Sequence, residues 1–529
     1  MTPTDRTDER RREGPRPNLL VIMVDQLRAN ALGMYGNARV GRSPVRTPHL
    51  DALAASGVLY RNAFTPYPVC VPARVALWTG RWPHLTGSRT NGVYLQPGEI
   101  HLAQLLKEAG YATGLIGKNH CFDETDISRY FDTYYPVGHM GPAAPAGANE
   151  DGGDAGVVAA RRWVRQMEDV GGDSVRLAGA AGGKAYAAGV SPYPVEKHGT
   201  WLVGNEADAF IRRHHRANGR SGGERPFCAW VSIPDPHTPY QVSEPYASLY
   251  PPETLGLPPR EDAGYADKPE RLRRFAARMG ADDVDERTLR RALSIYYGMI
   301  ALIDETVGRL LATLAELGLR EDTIVVFTAD HGDYMTEHGF VRKDASLYDS
   351  LTRVPLLLSY PRRVPAGERT DALVSLVDLF PTLAELMDLP LPPGRSGRRL
   401  PVATDAAPRE AVYAETGFEG RLQEREDGFR PARRARDGER DGGGAQPAHF
   451  RGVRGRIKTV RTQAWKYVHQ PGELPELYDL VADPHELVNL AVRPGYGERL
   501  CEMQRMLLDW TIESEDTLPL PARNPDAGV

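Results

Sequence analysis

Asn18-Leu-Leu-Val-Ile-Met-Val24 is an unbroken apolar run rich in branched side chains, preceded by Pro17 and followed by Asp25-Gln26. Continuous rather than alternating hydrophobicity marks a strand buried on both faces, as in the interior of an α/β sheet. Two further runs read the same way. Phe227-Cys-Ala-Trp-Val-Ser-Ile233 ends at Pro234-Asp235-Pro236-His237, and Thr323-Ile-Val-Val-Phe-Thr328 ends at Ala329-Asp330-His331-Gly332. Shorter strands are expected over residues 112–116, just before Gly117-Lys118, and over residues 354–358. Helical patterns fall between them, over residues 48–56, 100–109, 289–317 and 377–386. Strands alternating with helices predict an α/β fold with a large, mostly parallel mixed sheet flanked by helices. Asp25, Lys118, His237 and Asp330 each sit just past an apolar run. Ligands bind at the carboxyl ends of the strands in such sheets, so these four are expected on one rim.

The chain has 529 residues, more than one ordinary domain, with 41% hydrophobic and 26% charged residues. A net charge of −5 speaks against a nucleic-acid-binding face, which would be basic. No apolar stretch approaches the ~20 residues of a membrane helix. The polar, Arg-rich start lacks the apolar segment of a secretory signal, so a cytoplasmic protein is expected. The four cysteines, Cys70, Cys121, Cys228 and Cys501, are widely spaced without a CxxC pair. Neither a disulfide framework nor a thiolate zinc site follows from them. Three divisions are expected: a disordered tail (1–16), a catalytic domain (17–400) and a C-terminal subdomain (401–529). Residues 138–199 are dense in Gly, Ala and Pro, and read equally well as a lid or as a surface loop. Residues 419–455 are charged and Gly-rich, and are expected to be disordered.

The stretch Tyr67-Pro-Val-Cys70-Val-Pro72-Ala-Arg74-Val-Ala-Leu77-Trp-Thr79-Gly80-Arg81 carries the chemistry. It resembles the sulfatase signature, C-x-P-[SA]-R followed by x-x-L-x-T-G. A lone cysteine is usually just a small core hydrophobe, but this one stands inside seven matching positions. The resemblance implies that Cys70 is oxidised to Cα-formylglycine by a formylglycine-generating enzyme. It also implies an alkaline phosphatase-like fold with a small C-terminal antiparallel sheet. Trp465-Lys-Tyr467 and Glu476-Leu-Tyr-Asp-Leu480 near the C-terminus, and Thr47-Pro-His-Leu-Asp51 near the N-terminus, resemble further sulfatase segments.

Cleaving a sulfate ester takes a nucleophile, neutralisation of the non-bridging oxygens and a proton for the departing alcohol. A hard divalent cation serves the second need and favours oxygen ligands. Asp25-Gln26 and Asp330-His331 resemble the family's two metal-ligand pairs, with residue 70 as a further ligand; taken alone, either aspartate also reads as a helix N-cap. Many sulfatases have Asp-Asp and Asp-Asn here. The Gln26 and His331 form looks like that of choline sulfatases and phosphonate monoester hydrolases. It makes the site less negative and somewhat softer, which opens a place for Mn²⁺ beside Ca²⁺, the first choice.

Arg74 falls four residues after Cys70, on the same face if a helix starts there. Lys118 and His120 resemble the family's G-K-x-H element, in which the lysine bridges nucleophile and substrate and the histidine serves the second hydroxyl. His237 in Pro-His-Thr-Pro-Tyr resembles the family histidine near the ester oxygen, and Lys343 the lysine on a sulfate oxygen. Asn91 matches a substrate-contacting asparagine by spacing, and equally suits a turn. The resemblance implies that residue 70 attacks sulfur and the alcohol leaves with a proton from His237 or Lys343. His120 then deprotonates the second hydroxyl, which expels sulfate. Phosphonate monoester or phosphodiester hydrolysis with the same machinery is the rival, and a non-catalytic anion-binding homologue is the third reading. The partner is a small sulfate ester.

Overall fold

The computed structural model describes residues 16–36, 43–138, 141–142, 175–176, 187–221, 225–260, 265–279, 284–343, 346–402, 409–417 and 455–515. The tail expected over 1–16 therefore lies outside the described residues, except for Arg16. That residue is anchored, its guanidinium donating to the Ala109 carbonyl at 2.5 Å. Most of the 138–199 stretch and all of 419–455 but Gly455 also lie outside the described residues.

Ten strands form the central sheet: β1 (Asn18–Val24), β2 (Val58–Phe64), β3 (Ala112–Gly117), β4 (Thr133–Gly138), β5 (Gly141–Pro142), β6 (Phe227–Ile233), β7 (Thr323–Ala329), β8 (Arg353–Val354), β9 (Leu356–Ser359) and β10 (Glu368–Ser375). Their order is β8-β2-β9-β7-β1-β6-β3-β4-β5, with β10 also on β2. The five strands β7-β1-β6-β3-β4 run parallel, and β9 joins β7 antiparallel. Every residue of β1, β3, β6 and β7 is buried, as their continuous apolar runs require.

Register turns these strands into a site. Val24 lies opposite both Ala329 and Ile233, and Gly117 lies opposite Ser232. The first residues past β1, β7, β6 and β3 therefore emerge flush on one rim, as the sequence predicts for Asp25, Asp330, Lys118 and the His237 loop.

Two elements differ from expectation. The strand read over 354–358 is split at Pro355 into β8 and β9, because proline cannot donate to the ladder. The Pro355 carbonyl instead accepts from Thr328 Oγ1 at 2.8 Å. Gly199–Ser221 forms a long helix that the Gly/Ala-rich reading of 138–199 obscured. Its stripe of Val203, Ala207, Phe210 and Ile211 is buried at helical spacing against β6 and the Glu286–Glu316 helix.

A four-stranded antiparallel sheet follows, built from Val412–Thr416, Ile457–Arg461, Trp465–His469 and Glu476–Asp479, with the Gly497–Glu515 helix packed on it. Lys466, buried in this sheet, bonds Asp349 and Glu486 at 2.8 Å each, tying the sheet to the short Asp349–Thr352 helix before β8. Among the described residues no helix is long and apolar enough to cross a membrane.

Candidate active site

Val69 is extended (φ −142°, ψ 138°), and the chain turns helical at Cys70. The Cys70–Thr79 helix ends at Gly80, whose φ of 64° is the left-handed geometry that favours glycine. All ten residues of this helix are buried, and Cys70 occupies its first position. The amides of that first turn lack helical partners and give the N-terminus partial positive charge, which favours an anion at residue 70. One of them, Val71 N–H, is satisfied by Asn91 Oδ1 at 3.1 Å. The oxygen of Asn91 therefore serves the helix that begins at Cys70.

One turn on, Arg74 has zero exposure and spans the rim. It donates through Nε to Asp330 Oδ2 at 2.9 Å, and through one terminal nitrogen to Asp25 Oδ2 at 3.3 Å. Its other terminal nitrogen donates to Ser232 Oγ at 2.6 Å and to the Lys118 carbonyl at 3.2 Å. Four sheet strands are thus joined through one guanidinium. Two buried carboxylates facing each other without a cation would repel, and Arg74 supplies that cation from the side.

Across from Arg74, Asp25, Cys70, Asp330 and His331 bring one ligand atom each to within 4.8 Å of one another, all buried. His331 Nδ1 donates to the Gly332 carbonyl at 2.9 Å, and its Nε2 lies 3.4 Å from Cys70 Sγ. Gln26 joins them from an unusual backbone position (φ 68°), its N–H donating to Asp330 Oδ1 at 3.1 Å. The Lys343 ammonium donates to Gln26 Oε1 at 3.1 Å and Cys70 Sγ at 3.1 Å, and lies 2.8 Å from His331 Nε2. Three of the expected ligands thus already point at one positive centre.

Charge separates Cys70 from the other buried cysteines. Burial alone pushes the Cys228 thiol up to about 12, and raises Cys121 as well. At Cys70, burial and the Asp25 carboxylate push the same way, but Lys118, Lys343 and His331 outweigh them. The thiol is held well below its usual range, so position 70 favours an anion. Asp25 is likewise held far down: burial opposes its charge, and Lys118, His237, Lys343 and Arg74 overcome that penalty.

The remaining candidates surround this cluster. Lys118 follows Gly117, whose φ of 106° suits glycine alone, and a Cβ there would lie 2.0 Å from the Ser232 carbonyl oxygen. The lysine bonds Asp25 Oδ2, and its Nζ is 3.5 Å from Cys70 Sγ. Burial, then Lys118 and Arg74, lower the His120 imidazole well below its usual range, so it is neutral at pH 7 and able to accept a proton. His237 Nδ1 donates to the Thr238 carbonyl at 2.6 Å, and the ring acts electrostatically on Asp25. All the expected residues thus meet at one rim.

Sequence reasoning missed three residues here: Asp333, which receives Gln26 Nε2 at 2.5 Å, Tyr240, whose hydroxyl meets Asp333 at 2.7 Å, and Ser232 on Arg74. Ser232 stands next to the last residue of β6, and Asp333 three residues after Asp330. Only their place beside the rim marked them, since neither motif includes them.

Comparison with known proteins agrees with this geometry. The model of the sulfatase family matches residues 17–389, which include every strand of the central sheet. An arylsulfatase of Clostridium perfringens (strain 13 / Type A) is 27% identical over 506 residues, covering 93% of this chain and 94% of its own. A choline-sulfatase of Rhizobium meliloti (strain 1021) is 28% identical over 499 residues, covering 90% and 83%. The crystal structure of phosphonate monoester hydrolase of Agrobacterium radiobacter shares the fold, with a TM-score of 0.70 at 24% identity over 94% of this chain and 96% of that one. With the family match running through all the strands that carry the cluster, the chain belongs to the sulfatase family.

Proposed function

We propose that this sulfatase hydrolyses a small sulfate monoester with residue 70 as nucleophile, after Cys70 is oxidised to Cα-formylglycine by a formylglycine-generating enzyme. The observation that carries this reading is the convergence of Cys70 Sγ with Asp25, Asp330 and His331 on one point, under two lysine ammonium groups. The same atoms suit a divalent cation. They are buried, two of the four are carboxylate oxygens, and Cys70 Sγ and His331 Nε2, together with Gln26 Oε1, already meet the Lys343 ammonium as a stand-in positive charge. Asp25, Gln26, Asp330, His331 and residue 70 would hold it, Ca²⁺ first and Mn²⁺ as the alternative. When bound, the cation lowers the pKa of the attacking hydroxyl and draws charge from a sulfate oxygen, while a hydrated aldehyde at residue 70 supplies two hydroxyls.

The chain's own groups do the rest. Arg74 keeps Asp25 and Asp330 aligned. Lys118 and Lys343 neutralise the non-bridging oxygens as charge builds on them. His237 gives a proton to the departing alcohol oxygen as its bond to sulfur breaks, with Lys343 as the other candidate donor. Neutral His120 takes the proton from the second hydroxyl, which allows sulfate to leave. Asn91, its oxygen engaged by Val71, offers its amide N–H to the substrate. All four cysteines are unpaired, which suits the reducing cytoplasm we assign to the chain.

A second reading, phosphonate monoester or phosphodiester hydrolysis, draws on Gln26 and His331, which make the pocket less negative than the three-carboxylate Asp-Asp and Asp-Asn form. A substrate panel tests both. Higher kcat/KM for aryl sulfates than for aryl phosphonate monoesters supports the first reading, and the reverse order supports the second. No turnover of either by enzyme converted at residue 70 would leave a non-catalytic anion-binding homologue.

A further inference from the structure

Asp333 has zero exposure and lies just past β7, three residues beyond Asp330. Four donors satisfy its carboxylate. Met335 N–H and Arg342 N–H reach Oδ1 at 2.7 and 2.8 Å, while Gln26 Nε2 and the Tyr240 hydroxyl reach Oδ2 at 2.5 and 2.7 Å. All four are neutral, and they only partly offset the upward push of burial on its pKa. What they do fix is the position of a buried acceptor directly behind Gln26.

That acceptor decides which end of the Gln26 amide faces the site. A carboxylate only accepts, so the end of Gln26 against Asp333 is the NH₂. The carbonyl then points the other way, where the Lys343 ammonium, which only donates, meets it at 3.1 Å. The Gln26 backbone is also pinned, since its N–H bonds Asp330 Oδ1 at 3.1 Å and its carbonyl accepts from Tyr296 Oη at 3.1 Å. Only the terminal amide torsion is left to choose. Flipped, it would aim hydrogens at the cation pocket and its oxygen at a carboxylate.

We propose that Asp333, anchored by Tyr240, is the positioning residue that makes Gln26 an oxygen donor to the divalent cation. This rests on the cation reading above. It also gives a role to an amide where many sulfatases carry a carboxylate: its oxygen is turned to the cation pocket by an acceptor one layer back, on Asp333. Tyr240 lies three residues after His237, so the same carboxylate ties the cation pocket to the loop that carries the proton donor.

The test is Mn²⁺ affinity of the purified full chain, read from the loss of the free Mn²⁺ paramagnetic signal, with thermal melting as a check on folding. Outer-layer partners of metal ligands typically contribute 10–100-fold in affinity. Asp333→Asn should therefore bind Mn²⁺ at least about tenfold more weakly than wild type. Tyr240→Phe should lose a smaller factor while melting normally. In a Gln26→Ala background, Asp333→Asn should add little, because the amide it orients is gone. Wild-type affinity in Asp333→Asn, or the same loss with and without Gln26, overturns the proposal. Should Asp333→Asn not fold, Tyr240→Phe decides, and unchanged Mn²⁺ affinity there overturns it. Wild-type protein that takes up neither Mn²⁺ nor Ca²⁺ would instead sink the cation reading itself, and this inference with it.

Discussion

Arg74 Nε lies 2.9 Å from Asp330 Oδ2, with both side chains at zero exposure. An ion pair this deep is stabilising only while both partners stay, because the desolvation of each charge is offset by the other. Arg74 also serves Asp25, so its removal uncovers two carboxylates at once. Arg74→Met should lower unfolding free energy in metal-free buffer by about 3–5 kcal/mol, measured by denaturant titration. Arg74→Lys should not rescue it, since one ammonium lacks the planar fork that reaches both acids. A loss under about 1 kcal/mol for Arg74→Met would mean that the pair is not the keystone of the rim.

Leaving-group dependence separates His237 from Lys343. As the proton donor, His237 matters for alkoxides and little for nitrophenolate, which departs without protonation. His237→Ala should slow alkyl sulfates by about 10²–10⁴-fold, with a much smaller effect on nitrophenyl sulfate. Lys343→Ala should slow both substrates alike, because charge neutralisation is needed whatever leaves. Equal losses in His237→Ala would move the donor role to Lys343.

A third expectation concerns acid stability. His101 caps the Leu102–Glu108 helix, its Nδ1 accepting from the Gln104 amide, and burial lowers its pKa to about 3. The ordinary value is ~6.5. Below that pH the unfolded chain takes up a proton that the folded chain refuses. The contribution is thus fully present above about pH 6.5 and lost as pH falls toward the folded value, at about 1.4 kcal/mol per unit. His101→Asn keeps a capping side chain without the titration. Between pH 7.5 and 5, wild type should lose about 2 kcal/mol more than His101→Asn. Parallel stability curves for the two proteins would contradict this.

The sheet was legible because its inner strands are buried on both faces and read as unbroken apolar runs, which leave little choice of element. The site was legible for a related reason. Asp25, Lys118, His237 and Asp330 follow such runs, and the register of β1, β3, β6 and β7 brings the run ends level. The Gly199–Ser221 helix was missed because its apolar stripe begins right after a Gly/Ala-rich stretch that carries no periodicity. Asp333 was missed because its importance lies in the orientation of another residue's amide, a property of three-dimensional contact and not of spacing. For Asn91, spacing suggested substrate contact or a turn, while its oxygen accepts from the first turn of the Cys70–Thr79 helix, a contact between residues distant in sequence.

The central claim is that residue 70 acts as formylglycine. Chain produced with graded levels of a formylglycine-generating enzyme should be assayed with an aryl sulfate, alongside peptide mass measurement across Cys70. The account predicts that turnover rises in proportion to the converted fraction, with unconverted chain and Cys70→Ala both folded and inactive. Aryl sulfate turnover by Cys70→Ala at the converted enzyme's rate would contradict it.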